Sequence, residues 1–549
     1  MIKRLLNGQT KTITSAAIII GAASLTSRFL GVIRDRILAG EFGAGDILDT
    51  YYAAFRVPDL VFNLLVLGAL SAGFIPIFTQ YLNSEHKQKA WDLANQILNI
   101  LIISLLIICG LLFIFTPQLM KLITPGFSAE KMSITIDLTR IMFLSPLLLG
   151  ISSVFGGILQ SFKRFLVYSL APIFYNIGII IGALVFVKFW GVYGLAWGVI
   201  LGALMHFLIQ VPTSAYLGFR YKLKLNLKDE GMQRIGRIMV PRTLTLAITQ
   251  INFIVITIIA STLAAGSLAI FNLANNLQLF PVGIFGISFA IAAFPSLSAL
   301  ALKDNKKEFI HSFSNTTRQI LFFIIPASAL LLVLRAQIVR VILGTGNFTW
   351  QDTILTFECL AMFSYSLFAQ ALIPLLLRGF YALHKATAPF IIGLFTIGAN
   401  IVLSLYLTKP FVLFGYSFDL GVMGLALAFS LASILNMAVL WLVLRLYIGS
   451  LDEKRIIWAV VKISLATLAM AIVTQFMKYG IEPYFGTRTF IGIFLQGAIA
   501  GLVGILIFVV VACAVKSQEM FTFLDSVKRK LFKIKANYPK MGIDENVEV

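Results

Sequence analysis

The chain has 549 residues, 59% of them hydrophobic and 12% charged, with a mean hydropathy of +0.92 and a formal charge of +20. That balance excludes a water-soluble globular protein. Apolar runs of about 20 residues, the length that crosses a ~30 Å hydrocarbon core, recur almost from end to end.

The runs predict an all-α polytopic membrane protein of about 14 transmembrane helices; short strands of alternating polarity, the mark of a membrane barrel, are not seen. In chain order the spans fall near 14–40, 48–80, 90–117, 134–160, 165–188, 192–218, 233–262, 267–301, 309–334, 354–380, 387–407, 420–446, 456–477 and 488–515. The first run is too long for a signal-peptide core and lacks a small-residue cleavage site, so it is expected to be retained. Cys109, Cys359 and Cys513 lie inside apolar spans and fit small core residues better than a disulfide framework. The four histidines, His86, His206, His311 and His384, have no ligand spacing, and no phosphate-binding loop or nucleophile motif is present. Neither an enzyme, a metal nor a cofactor is predicted.

The basic excess is distributed by topology. With the N-terminus in the cytoplasm, inside segments carry about 28 Lys and Arg and outside segments about 8, with Arg220 to Arg237 and the tail beyond Lys516 contributing most. Both termini are therefore expected in the cytoplasm, and the charge reads as topology and lipid attraction rather than nucleic-acid binding.

The sequence repeats internally. "GVYGLA" at Gly191 to Ala196 returns as "GVMGLA" at Gly421 to Ala426, and "PQLMKLI" at Pro117 to Ile123 as "AQIVRVI" at Ala336 to Ile342, 219 residues on. The same offset relates Pro76 to Pro295 and Glu85–Lys87 to Asp304–Lys306. Two parallel six-helix lobes follow: an N-lobe, 1–230, and a C-lobe, 231–450. Such duplication is a transporter architecture with its site between the repeats. Two unduplicated spans occupy 451–515, and a basic tail 516–549. That tail either lies as a helix on anionic headgroups or is solvated.

Charges inside the spans concentrate early. Arg28 and Asp35, and likewise Asp49, Arg56 and Asn63, stand seven apart, about two turns on one helical face, with Asp59 nearby. Arg36 has an ordinary explanation, reaching from a helix end to headgroups. Arg28 lies about fourteen residues into its span, where an arginine costs about 2.5–3.5 kcal/mol unless it meets water or a partner. An ion pair to Asp49 or Asp59 would supply a structural partner; a water-filled cavity would supply a functional one. Guanidinium groups in a cavity suit phosphate or pyrophosphate, because their planar donors do not deprotonate. The second lobe offers Arg242 with Thr243, Thr245, Thr249, Gln250 and Asn252, and the amide run "NLANNLQ" from Asn272 to Gln278. These amides either bind a sugar or peptide or hold helices together.

At these residues the chain resembles the MurJ/MviN family of lipid II flippases, in the multidrug/oligosaccharidyl-lipid/polysaccharide exporter superfamily. The resemblance rests on "TSRFLGVIRD" (Thr26 to Asp35), "FGAG" (Phe42 to Gly45), "LDTYYAAFRVPDL" (Leu48 to Leu60), "GALSAGFIPIF" (Gly68 to Phe78), "TPGF" (Thr124 to Phe127), "RFLVYSLAPIFYNIGII" (Arg164 to Ile180) and "GFYALHKATAP" (Gly379 to Pro389). It implies a fourteen-helix transporter that carries the undecaprenyl-pyrophosphate-linked muropeptide, lipid II, from the inner to the outer leaflet of the bacterial cytoplasmic membrane by alternating access. The resemblance also gives the last two spans a groove for the lipid tail. By motif match Arg28, Arg34 and Asp49 take functionally essential positions, Asp35 shares their motif, and Arg56 takes a basic cavity position. The expected headgroup site is thus Arg28, Arg34, Arg56, Asn276 and Arg242, with Asp35, Asp49 and Asp59 as charge partners. Two positions depart from the family pattern: Leu67 stands where a Glu is frequent, and Asn276 where an Arg is frequent. Membrane lipids are the other expected partner. The second-lobe spans hold few acids, Glu358 the clearest, and the sequence assigns no coupling ion. An exporter of another polyprenyl-pyrophosphate-linked oligosaccharide is the alternative.

Overall fold

The computed structural model describes residues 13–67, 73–84, 87–226, 228–303, 305–413, 415–486 and 489–532. The echoes at Glu85 and Asp304 and the tail past Phe532 lie outside them. The described residues are mainly helical: α1 (Ile13–Phe42), α2 (Asp46–Ala54), α3 (Arg56–Val61), α4 (Lys87–Ile114), α5 (Ala129–Ser161), α6 (Phe165–Trp190), α7 (Tyr193–Tyr216), α8 (Glu230–Ser261), α9 (Ser267–Leu302), α10 (Lys306–Val333), α11 (Arg335–Ile342), α12 (Trp350–Ser364), α13 (Leu367–Ala382), α14 (Thr387–Leu407), α15 (Val422–Ile448), α16 (Glu453–Phe485), α17 (Phe490–Ala514) and α18 (Gln518–Phe532). Among the described residues ten helices are long and apolar enough to cross a membrane, and α12 with α13 make an eleventh if counted as one span. The remaining expected segments, α1, the stretch 46–82 and α8, are also helical over their described residues. One departure from all-α structure is a two-stranded antiparallel hairpin, Phe411–Leu413 with Tyr416–Phe418, between α14 and α15.

Helix boundaries repeat as the sequence does. α4 and α10 are both 28 residues long and begin 219 apart; Thr116–Ile123 and α11 are both 8 residues long with the same offset. Wide π turns interrupt both related spans, at Phe62–Leu67 and at Val282–Ile287. A π turn carries an extra residue and re-aims the side chains beyond it.

By contacts the chain divides into two compact units. The first comprises residues up to 280 with 335–366 and 386–439; the second comprises 281–334, 367–385 and 440 onward. In the first, α6 and α7 meet through glycines. A Cβ on Gly178 would strike Gly202, and one on Gly182 would strike Gly198, so their backbones approach as only small residues permit. Asn95 and Asn99 of α4 are buried and donate to the carbonyls of Arg220, Lys222 and Lys224 at 2.9–3.1 Å, which satisfies loop backbone that water does not reach.

In the second unit α10, α16 and α17 share an apolar core of Phe322, Ile463, Ala466, Met470 and Phe508. The start of the expected basic tail is the helix α18. Its Met520 is buried, and Glu519 forms a buried ion pair with Arg318 of α10.

Candidate functional site

Four segments of the first unit enclose a cavity of about 290 Å³. α1 contributes Arg34, Asp35 and Leu38; α2 and α3 contribute Tyr51, Tyr52, Arg56 and Asp59, with Phe55 at the turn between them; α8 contributes Phe253; α9 contributes Asn272, Asn275, Asn276 and Leu279. Spacings of three and four put each set on one helical face.

Both cavity arginines are held from behind. Arg34 donates through Nε and Nη2 to one oxygen of Asp35, at 3.0 and 2.8 Å, and through Nη1 to Asn176 at 3.1 Å. The other Asp35 oxygen accepts from the Asn276 amide at 2.9 Å. Arg56 donates through Nε to Thr257 at 2.7 Å and through Nη2 to Asn272 at 2.8 Å, and its guanidinium carbon lies 5.5 Å from the Phe253 ring centroid. A guanidinium has five N–H groups. Among the described residues two therefore remain uncommitted on Arg34 and three on Arg56. The formal charges of Arg34, Arg56, Asp35 and Asp59 cancel, and the Asp59 carboxylate accepts no hydrogen bond from a described residue. The cavity's capacity for an anion lies in spare, oriented donors rather than in net charge.

Five of the eight expected site residues meet here: Arg34, Arg56, Asn276, Asp35 and Asp59. Arg28 does not line the cavity. It is half-buried on α1, six residues and hence ~9 Å before Arg34, and pairs with neither Asp49 nor Asp59 among the described residues. Arg242 falls among residues whose side chains are not described, as does Leu67. Asp49 lies elsewhere: it is 2% exposed, pairs with Lys131 at 2.7 Å and accepts from the backbone of Gly266 at 2.8 Å and Ala269 at 2.9 Å. It clips the start of α9 to α2 and α5, where a carboxylate is favoured by the helix dipole. Asn176, Thr257, Tyr51 and Tyr52 were not singled out from sequence. The amide run did point to Asn272 and Asn275, and it both supports the site and binds helices: Asn272 holds Arg56, while Asn275 accepts from Gln278.

The glycine turn at 40–45 is closed against the segment 341–352. Arg36 donates to the carbonyls of Val341 and Ile342 at the end of α11, Asn347 donates from its backbone to Gly40 at 2.7 Å and from its side chain to Glu41 at 2.7 Å. Gly346 and Gly266 have positive φ, and a side chain on either would collide with the backbone of Gly40 or Ala44.

A family profile described as "Lipid II flippase MurJ" matches residues 38–496. A probable lipid II flippase MurJ of Buchnera aphidicola from Acyrthosiphon pisum is 31% identical over 476 residues, 86% of this chain and 91% of the relative. One from Vibrio cholerae is 30% identical over 450 residues, 79% and 83% of the two chains. The solved structure titled "Lipid II flippase MurJ, inward closed conformation" superposes with a TM-score of 0.72 at 23% identity, covering 94% of this chain and all of that one.

Proposed function

The chain belongs to the MurJ family of lipid II flippases, and from that membership we propose how its own residues carry the transport. It flips lipid II across the cytoplasmic membrane and is a multi-pass transporter. The observation that carries the reading is the pair of arginines, Arg34 and Arg56, held in a buried cavity with five N–H groups uncommitted. The pyrophosphate takes those donors; Arg28, without a partner among the described residues and on the same helix as Arg34, attracts it first. Asp35, with Asn276 behind it, fixes the Arg34 fork, and Asn272 and Thr257 fix Arg56.

At about 290 Å³ the cavity is at the lower edge of the ~300–1,000 Å³ of a drug-sized site. It admits a pyrophosphate, not a disaccharide-peptide. Loading therefore requires the lobes 1–230 and 231–450 to rock apart on one side and close on the other. With both termini cytoplasmic, the turn 40–45 is on the outer side, and its contacts with 341–352 are the closure that breaks on release. The exposed apolar side chains Leu465, Leu468 and Phe476 of α16 and Leu502, Leu506 and Val510 of α17 support a lipid-contacting groove for the polyprenyl tail.

The test is rescue of a bacterium depleted of its own lipid II flippase, with leaflet accessibility of the precursor read beside growth. Wild type rescues; Arg28→Ala, Arg34→Ala and Arg56→Ala, inserted at normal levels, each lower flipping at least about tenfold, as loss of a charge-assisted phosphate contact worth ~1.5–3 kcal/mol requires. A well-inserted wild type that moves no lipid II but moves another polyprenyl-pyrophosphate-linked glycan would overturn the substrate assignment.

A further inference from the structure

A second cavity of about 630 Å³ lies in the first unit between α4, α5 and α7 and shares no residue with the arginine cavity. Its walls are apolar, Leu105, Cys109 and Gly110 on α4 facing Leu144 and Leu147 on α5. A Cβ built on Gly110 meets nothing within 4 Å, so the hollow is open at that glycine, and Leu106 beside it is 55% exposed.

Arg140 closes one end. It is the last charged residue before the uncharged run Ile141 to Phe162, which puts it at the polar–apolar boundary of α5. The other two helices place boundary residues at the same end: Tyr193 and Trp197 open α7, and Phe113 is next to last in α4. Aromatic rings and arginine at one level mark the headgroup zone of a bilayer. The Arg140 guanidinium carbon stands 5.2 Å from the Phe113 ring centroid. Its Nε is shut off from solvent and has no hydrogen-bond partner, and no acid among the described residues pairs with it. Asp137, one turn earlier, accepts instead from the Tyr193 hydroxyl at 3.4 Å. The protein thus leaves this guanidinium incompletely satisfied, and its remaining N–H groups are the donors available to an anion in the hollow. The hollow running from it into the hydrocarbon zone fits an acyl chain.

We propose that this groove is a binding site for an anionic diacyl phospholipid, its phosphate on Arg140 and one acyl chain lying past Gly110 and between Leu144 and Leu147. Asp137 lines the same hollow and offsets the formal charge of Arg140, so the headgroup is held by the guanidinium's donors rather than by net charge. The lipid is a resident of the first lobe and not the transported molecule.

Native mass spectrometry of the delipidated full-length protein, re-equilibrated with equal phosphatidylglycerol and phosphatidylethanolamine, tests this. Wild type should retain one phosphatidylglycerol about fivefold more than phosphatidylethanolamine, the scale set by one cation at an anionic headgroup. Gly110→Phe, which fills the hollow and leaves the charges alone, should remove that lipid. Arg140→Gln should keep a lipid and lose the preference. If Gly110→Phe does not yield folded protein, Arg140→Gln decides alone. Equal retention of the two lipids by wild type, unchanged preference in Arg140→Gln, or displacement of phosphatidylglycerol by undecaprenyl phosphate would each overturn the assignment.

Discussion

Asp49 and Arg56 stand seven apart, a spacing that on an unbroken helix would put both on one face. They serve different places because seven residues also separate them by ~10 Å along the axis: Asp49 reaches Lys131 and the start of α9, while Arg56 lines the cavity. Pro58 marks the interruption between α2 and α3, since it has no N–H to donate to the Ala54 carbonyl, but it does not reveal what Asp49 meets. On α1, which is continuous, Arg34 and Asp35 are in the cavity as charge and motif suggested, and Asn276 fulfils by an amide what a cation would have done by charge: it satisfies the second oxygen of Asp35. The tyrosines were illegible because aromatic residues are ordinary in membrane spans. Two outcomes follow at this scale. Asp59→Asn should tighten inorganic pyrophosphate binding about three- to tenfold by calorimetry, since removing one nearby negative charge at an effective dielectric near 20 is worth ~1 kcal/mol or more. Asp49→Asn should lower the stability of the detergent-solubilised protein by about 2–4 kcal/mol, read as a drop in Tm, because it leaves Lys131 without its buried partner. Lys131 also meets Asp46 at 2.6 Å, which holds the loss below that of a fully orphaned charge.

Helices as elements were legible from apolar run length, since a span has to satisfy its backbone internally whatever its side chains. Their interruptions were not: a π turn has no residue signature, and the hairpin at 411–418 looks like any loop with aromatic residues. Glycine packing shows which element contacts are strict. Gly178 and Gly182 on α6, and Gly194, Gly198 and Gly202 on α7, recur every four residues, so they form one stripe per helix and let the backbones touch. Gly398 on α14 has no neighbour within 4 Å of a built Cβ. Gly198→Leu should therefore abolish monodisperse protein in size-exclusion chromatography, whereas Gly398→Ala should raise Tm slightly, by the ~1 kcal/mol or less that alanine gains over glycine in a helix.

At the scale of the molecule, the offset of 219 residues was visible as scattered sequence echoes and recurs as matching helix lengths in α4 and α10. The first compact unit nevertheless contains pieces of both expected lobes, because contacts near 40–45 join α1 and α2 to α11, α12 and α9. Such contacts arise from tertiary closure and leave no periodicity to find. Cysteines at Glu41 and Asn347, cross-linked by a short bis-maleimide, should stop flipping in membrane vesicles while leaving substrate bound. Unimpeded flipping in the fully cross-linked protein would show that this end does not open during transport.

The five uncommitted N–H groups are divided between helices, two on α1 and three on α3. A diphosphate brings two sets of acceptor oxygens to these donors, a monophosphate one. On the proposed reading, a carrier bearing its cargo through a pyrophosphate offers acceptors to both helices at once, and a carrier reduced to a single phosphate offers fewer.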